Sequence, residues 1–346
     1  MLKIGIVGLP NVGKSTLFKA LTKKKVDISN YPFCTIDPNI GVVEVPDERL
    51  SALAKAFPRP KIIPPVIEFV DIAGLVKDAH KGQGLGNQFL AHIREVDAIL
   101  EVVRFFEKED VAHVEESINP QRDVEILERE LIAKDLETIE KRLEKLLKQI
   151  KAQDKEAKKE YQLLLRLKKS LEEGKKVIDL EIEEKEKAII KDLFLLTAKP
   201  ILYVYNVRGN DVKIPQELAN KNYIVLDVKL EEELEEMPET EMQELGIKPK
   251  IGKLIKKAYQ LLNLVIFFTM NENEIRAWEI KKGTKAPQAG GKIHSDFEEK
   301  FIRCEVIQWD KLIKAGSWQK AKEKGLINIA GRDYVVQDGD VIYFII

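Results

Sequence analysis

Cysteine is nearly absent. Cys34 and Cys304 are the only two in 346 residues, far apart and without the spacing of metal ligands. A disulfide framework and a cysteine-based zinc site are therefore excluded. Apolar runs of about 18 residues are missing as well, so no segment is expected to span a bilayer and no membrane partner is expected. Neither sign of charge dominates: 57 basic residues face 58 acidic ones, for a net charge of −1. No global field steers the chain to nucleic acid, and no DNA partner is expected, although a local basic face is allowed. The opening stretch, 1–10, is too short and too uncharged for a signal peptide. A soluble, cytoplasmic protein is the expectation.

What is present is globular in kind. Hydrophobic residues make up 44% and charged ones 33%, and the length allows about two or three domains. The abundance of Lys, Glu and Ile fits either a heat-adapted source or long charged helices.

The apolar run 2–7 reads as a buried strand. A glycine-rich turn follows at 8–13, and then a helix over 14–22 with Leu17, Ala20 and Leu21 on its apolar face. Further strands are expected at 40–45, 66–70, 98–103, 201–205 and 224–226, with helical stretches between most of them. That alternation predicts an α/β fold with a mostly parallel sheet covered on both faces. The segment 124–190 breaks the rhythm. Leu136, Ile139, Leu143, Leu146 and Ile150 recur at steps of three and four, and Tyr161, Leu164, Leu167 and Leu171 form a second seam. Narrow seams with charged outer faces predict an inserted arm of two antiparallel coiled-coil helices, against the plainer alternative of two covering helices. After a closing helix at 248–262 the character changes. Residues 263–346 read as a small separate α+β domain, leaving 1–262 as the nucleotide domain.

Gly8-Leu-Pro-Asn-Val-Gly-Lys-Ser15 matches G-x-x-x-x-G-K-[ST] at every fixed position. The glycines let the backbone curl until successive N–H groups point at phosphate oxygens, and the helix behind adds its positive end. Lys14 is expected to bridge the outer phosphates and Ser15 to place a hydroxyl on Mg2+. Asp71-Ile-Ala-Gly74 closes a strand. Its acid can hold the metal through water, and Gly74 can offer its N–H to the terminal phosphate. Thr35, in a loop between helix and strand, can complete the metal shell only while that phosphate is present, which would make a switch.

Leu75 stands where signalling GTPases place a water-orienting glutamine, so another group must act or hydrolysis is slow. His80, Gln83, Gln88 and His113 are the candidates. Asn11 could help hold a monovalent cation such as K+ beside the phosphates, or could simply stabilise the loop. Asn206-Val207-Arg208-Gly209 ends a strand where a base-reading motif belongs. A guanine site needs a carboxylate at the fourth position, and this chain has glycine there unless Asp211 reaches in.

Three stretches, 8–18, Tyr31-Pro-Phe-Cys-Thr35 and Asp71-Ile-Ala-Gly-Leu75, together resemble the Obg-related NTPases, and specifically the YchF family of Obg-like ATPases. Phe105-Phe-Glu107, His113-Val114, Asn119-Pro120, Arg276-Ala-Trp278, Ala286-Pro-Gln-Ala289, Gly291-Lys-Ile-His294, Asp296-Phe297 and Val336-Gln-Asp-Gly-Asp340 are similar as well. The resemblance covers essentially the whole chain. It implies an Obg-type nucleotide domain, an inserted helical arm and a C-terminal TGS domain of β-grasp fold. It further implies ATP hydrolysis, often in preference to GTP, and association with the ribosome. By matching positions, Asn11, Val12, Gly13, Lys14, Ser15 and Thr16 would bind nucleotide, with Asn206 and Val207 in the base site and Ser15 and Thr35 on Mg2+. His113 would correspond to a loop histidine implicated in hydrolysis.

Two departures stand out. Relatives commonly carry N-x-x-E where this chain has Gly209, and often Ser-Ala-Lys where it has Asp227-Val-Lys229. A GTPase of the same architecture, and a translation-associated module using nucleotide as a structural ligand, are the alternatives. The arm cations Lys141, Arg142, Lys158, Lys159, Lys168 and Lys169 suggest RNA contact, or else a solvated helix face with interleaved acids.

Overall fold

The structure, a computed structural model, describes residues 2–23, 26, 37–72, 87–107, 118–151, 153–209 and 212–346. Strand β1 (Lys3–Val7) has four of its five residues buried. It runs into helix α1 (Lys14–Thr22), which turns Leu17, Ala20 and Leu21 inward. Next come β2 (Ile40–Glu44), α2 (Glu48–Ala56), β3 (Lys61–Ile63), β4 (Val66–Asp71), α3 (Asn87–Glu95) and β5 (Ala98–Arg104). The arm is α4 (Pro120–Lys151) and α5 (Lys155–Glu172), followed by α6 (Glu184–Leu193). The chain then returns as β6 (Ile201–Asn206), α7 (Gln216–Ala219), β7 (Tyr223–Leu226), α8 (Val228–Leu234), α9 (Glu239–Glu244) and α10 (Ile251–Leu261). The last part holds β8 (Leu264–Met270), β9 (Glu274–Lys281), α11 (Ala286–Gly291), α12 (Ser295–Glu299), β10 (Arg303–Gln308), α13 (Trp309–Ala315), α14 (Trp318–Glu323), β11 (Asn328–Ala330) and β12 (Asp340–Ile345).

Among the described residues the first sheet has the order β2-β4-β1-β5-β6-β7. All its pairings are parallel except the edge strand β2, which runs antiparallel to β4. Every residue of β4, β5 and β6 is buried, as a parallel sheet covered on both faces requires. The second sheet has the order β11-β10-β12-β8-β9-β3. Its last strand is Lys61–Ile63, paired parallel with β9 some 200 residues later in the chain. The sequence pattern did not announce this strand. Three residues, two of them exposed, carry too little periodicity to be read alone.

One hydrophobic core joins a face of each sheet: Ile4, Leu17 and Phe69 of the first belong to the same cluster as Phe268, Ile275 and Val341 of the second. A separate cluster fills the opposite face of the first sheet and takes Val124, Leu127 and Leu131 from the start of α4. Beyond that root the arm has its own core, with Ile139, Leu143 and Leu146 packed with Leu163, Leu164, Leu167 and Leu171. This selects the arm over two ordinary covering helices. Burying each such side chain contributes about 1.5–3 kcal/mol, while ordering each residue costs about 1–2 kcal/mol. Two helices alone would be marginal, and α6 adds Ile190 to the same cluster. Asp154 caps α5 by accepting from the N–H groups of Glu156 and Ala157, and Gln153 makes the turn in the left-handed region at φ 63°. The second arm helix therefore starts inside the polar stretch 151–159.

Candidate functional site

The loop between β1 and α1 is shaped by three positive backbone angles: Gly8 at 141°, Asn11 at 60° and Gly13 at 103°. A side chain at Gly8 would place its Cβ 2.4 Å from the Val102 carbonyl oxygen of β5, so only glycine lets the turn lie this close to the sheet. Asn11 is exposed and tolerates the left-handed region. Val12 is buried in the core, so what it can offer a ligand is its main chain. Thr16 is half-buried in the first turn of α1, and Ser15 beside it is exposed.

The ammonium of Lys14 donates to the Leu9 carbonyl across the loop at 2.6 Å. Burial lowers its pKa to about 8, with the charge of Asp71 opposing that shift. The Ser15 hydroxyl donates to Asp71 Oδ2 at 3.3 Å, and Asp71 itself is buried at the end of β4. Two hard oxygen donors thus meet at the mouth of the loop. That set suits Mg2+, which takes one or two protein oxygens and completes its octahedron with phosphate and water.

Asn206, at the end of β6, links this loop to the next. Its Nδ2 donates to the Val12 carbonyl at 2.8 Å, and its Oδ1 accepts from the Val228 N–H at 3.2 Å. Val207 is buried, with its N–H given to the Leu226 carbonyl, so its side chain does not form an open face. Gly209 is exposed with φ 76°. Its N–H donates to Asp227 Oδ2 at 3.3 Å, while Asp227 Oδ1 caps α8 by accepting from Leu230. The Asp227 carboxylate is thereby engaged with main-chain donors.

Lys14, Ser15, Asp71 and Asn206 are thus brought together around one loop. Thr35, Gly74, Leu75, His80, Gln83, His113 and Asp211 lie outside the described residues, while Gln88 is exposed in the first turn of α3. A set of side chains beside the turn 206–209 carries no motif in the sequence. The Arg104 guanidinium lies 4.7 Å from the Phe106 ring centroid and that of Arg208 lies 5.6 Å from it. Arg104 is buried and donates from Nε to the Phe106 carbonyl at 3.0 Å. A ring flanked by two cations is a flat π-surface. Its signal in the sequence was the pair Phe105-Phe106, which carries no spacing rule.

Comparison with known proteins decides the family. The chain is 48% identical to the ribosome-binding ATPase YchF of Bacillus subtilis (strain 168), over 99% of this chain and 98% of that one. The chain belongs to the YchF family. It is 44% identical to the ribosome-binding ATPase YchF of Escherichia coli O157:H7, with 99% and 98% covered. The solved structure of the Schizosaccharomyces pombe YchF GTPase superposes with a TM-score of 0.90 at 37% identity, over 99% of this chain and 97% of that one. Residues 3–169 match the family described as a 50S ribosome-binding GTPase. Residues 264–346 match the YchF-GTPase C-terminal family, described as a protein of unknown function. The YchF architecture of P-loop domain, long helical arm and C-terminal sheet domain is therefore the fold of this chain. Named YchF relatives include both an ATPase and a GTPase, so the nucleotide is a question for the site itself.

Proposed function

We propose that this chain is a Mg2+-dependent nucleoside triphosphatase that prefers ATP to GTP and acts as a switch on the ribosome. One observation carries the nucleotide preference. Asn206 fastens the turn 206–209 to the phosphate loop, so in this proposal that turn would meet the base, and its fourth residue is Gly209. Guanine recognition needs a carboxylate there to accept two N–H groups, and losing matched polar contacts of that kind removes a few kcal/mol of discrimination. The nearby acid Asp227 already accepts two main-chain N–H groups.

In this proposal the loop amides of 11–16 and the Lys14 ammonium bind the polyphosphate and neutralise charge that develops on it. Lys14 gives up the Leu9 carbonyl to do so. Ser15, Asp71 and Thr35 would hold Mg2+, which supplies charge neutralisation on the β- and γ-phosphates when bound. Gly74 would sense the terminal phosphate, and His113 would orient the attacking water in place of the missing glutamine. Asn11 would help hold K+ beside the phosphates. Turnover without a partner is expected to be slow. Ribosome association is supported by the names of the relatives and by the matched 50S ribosome-binding family.

Hydrolysis of ATP and GTP by wild type and Lys14→Ala, with competition binding at equal Mg2+, tests this. Equal rates in wild type and variant would remove the enzymatic claim. A clear GTP preference would instead favour the GTPase alternative, to which the fission-yeast relative's name points, and would direct attention to Asp211.

A further inference from the structure

Several cations of the arm and of α6 are neutralised by neighbouring acids. Arg142 forms a bidentate pair with Glu160, at 2.6 and 2.8 Å. Lys159 pairs with Glu156, Arg166 with Glu186, Lys168 with Glu140 and Lys187 with Glu184, all at 2.6–2.7 Å. Not all are: Lys151, Lys155, Lys158 and Lys169 are exposed and have no ion-pair partner among the described residues, and neither have three lysines that share one face of α4. Lys141, Lys145 and Lys148 are exposed and have no ion-pair partner among the described residues. They are four and three residues apart, so they stack on one face of the helix. Lys134 and Thr138 continue the same stripe toward the root. The row from 134 to 148 is about 21 Å long at 1.5 Å per residue.

The root end of this row opens into a cleft of about 330 Å³ lined by Arg94, Lys134, Thr138, Lys141, Lys145 and others. Arg94 reaches in from the last turn of α3. Its Nη2 donates to Thr138 Oγ1 at 2.7 Å, and no acid lies within ion-pair distance of it among the described residues. Acids are present but outnumbered. Glu137 pairs with Lys134 at 2.8 Å, and Asp192 lines the cleft as well. In a chain whose net charge is −1, this is a local excess of positive charge held on a rigid helix.

We propose that the stripe Lys141–Lys145–Lys148, together with Arg94 at its root, is a docking face for the phosphodiester backbone of RNA. This deepens the ribosome-directed proposal above and rests on it. Charge complementarity argues for the occupant, since RNA offers a regular row of phosphates to a regular row of ammonium groups. A protein partner fits less well, because lysine is depleted at protein–protein interfaces and this stripe contains no aromatic or apolar anchor. Arg142, Lys159 and Lys168 contribute little, because their charge is already balanced by acids 2.6–2.7 Å away.

The test is co-sedimentation of the full chain with ribosomes across a KCl series. Wild type is compared with Lys141→Gln/Lys145→Gln/Lys148→Gln and with a control of equal charge loss at paired positions, Lys159→Gln/Lys168→Gln/Lys187→Gln. Circular dichroism and nucleotide hydrolysis establish that both variants are folded. The stripe variant should bind more weakly, with the slope of log affinity against log salt reduced by about one unit per lysine. The control should keep the wild-type slope. An unchanged slope in the stripe variant would overturn the proposal, as would equal losses in both variants, which would make net charge alone responsible. Loss of ribosome binding with undiminished binding to purified ribosomal RNA would identify an acidic protein as the partner and also overturn it. Wild type that fails to sediment even at low salt would instead bring down the ribosome-directed proposal itself.

Discussion

The side-chain amide of Asn206 donates to the main-chain carbonyl of Val12 at 2.8 Å, across 194 residues of sequence. The strand end expected to read the base is thus fixed to the loop expected to hold the phosphates. Gly13 makes the contact possible, since a Cβ there would come 2.5 Å from Asn206 Nδ2. Gly13→Ala should therefore displace the amide and strain a backbone held at φ 103°. Such strain costs about 1–3 kcal/mol. Asn206→Ala should cost about 1–3 kcal/mol as well, by leaving a buried carbonyl and a buried N–H without partners. Nucleotide titration and urea unfolding of both variants check this. Wild-type affinity in Gly13→Ala would mean that the loop does not need this closure.

Lys14 makes nucleotide binding pH-dependent. In the free protein burial lowers its pKa to about 8, and a bound polyphosphate must raise it again. Binding then takes up a proton above pH 8. Affinity should be level below that pH and should fall above it, by up to about tenfold per unit. The sign for folding is the reverse. Between about pH 8 and the ordinary lysine value of 10.5 the unfolded chain binds more protons at this site than the folded one, so Lys14 contributes stability that rises with pH. Calorimetric titrations in two buffers of different ionisation enthalpy would measure the proton uptake. No uptake at pH 9 would contradict the assignment.

Asp135, buried on α4, joins the arm to the helical turn Leu196–Ala198 that leads into β6. Its carboxylate accepts from the N–H of Leu196 and of Thr197, each at 2.8 Å, and from the Thr197 hydroxyl at 2.6 Å. Asp135→Ala would orphan all three donors, and each buried orphan costs about 1–3 kcal/mol. A fall in the urea midpoint with an unchanged slope is expected. Asp135→Asn keeps an acceptor and should lose less. Equal losses in the two would indicate that packing, rather than the hydrogen bonds, is at stake.

The arm's core is separate from the cores of the two sheets. Leu164→Ala, at a fully buried arm position, should therefore destabilise the arm by about 2–5 kcal/mol and leave nucleotide affinity as it was. Amide exchange should speed up within 139–171 and not in β1 or α1. Faster exchange throughout the nucleotide domain would show that the two unfold together.

The strand–loop–helix around Lys14 was legible because each of its determinants is local. Buried-strand hydrophobicity, glycines that permit unusual dihedrals and one ammonium all fall within about fifteen residues of sequence. The arm was legible for the same reason, since a helical seam repeats every three or four residues. Tertiary structure alone decided that Lys61–Ile63 leaves its neighbours to extend the second sheet beside β9, because so short a strand is defined by its partner and not by its own pattern. Only the fold could show that β2 runs antiparallel at its edge. The arm cations make the same point. In sequence Lys141 and Lys168 are alike, but folding sets Glu140 2.7 Å from Lys168 and leaves Lys141 unpaired among the described residues. Sequence fixes which charges a helix carries and on which face. Whether a charge is balanced depends on what the neighbouring helix brings within about 4 Å, and that distance exists only once the chain has folded.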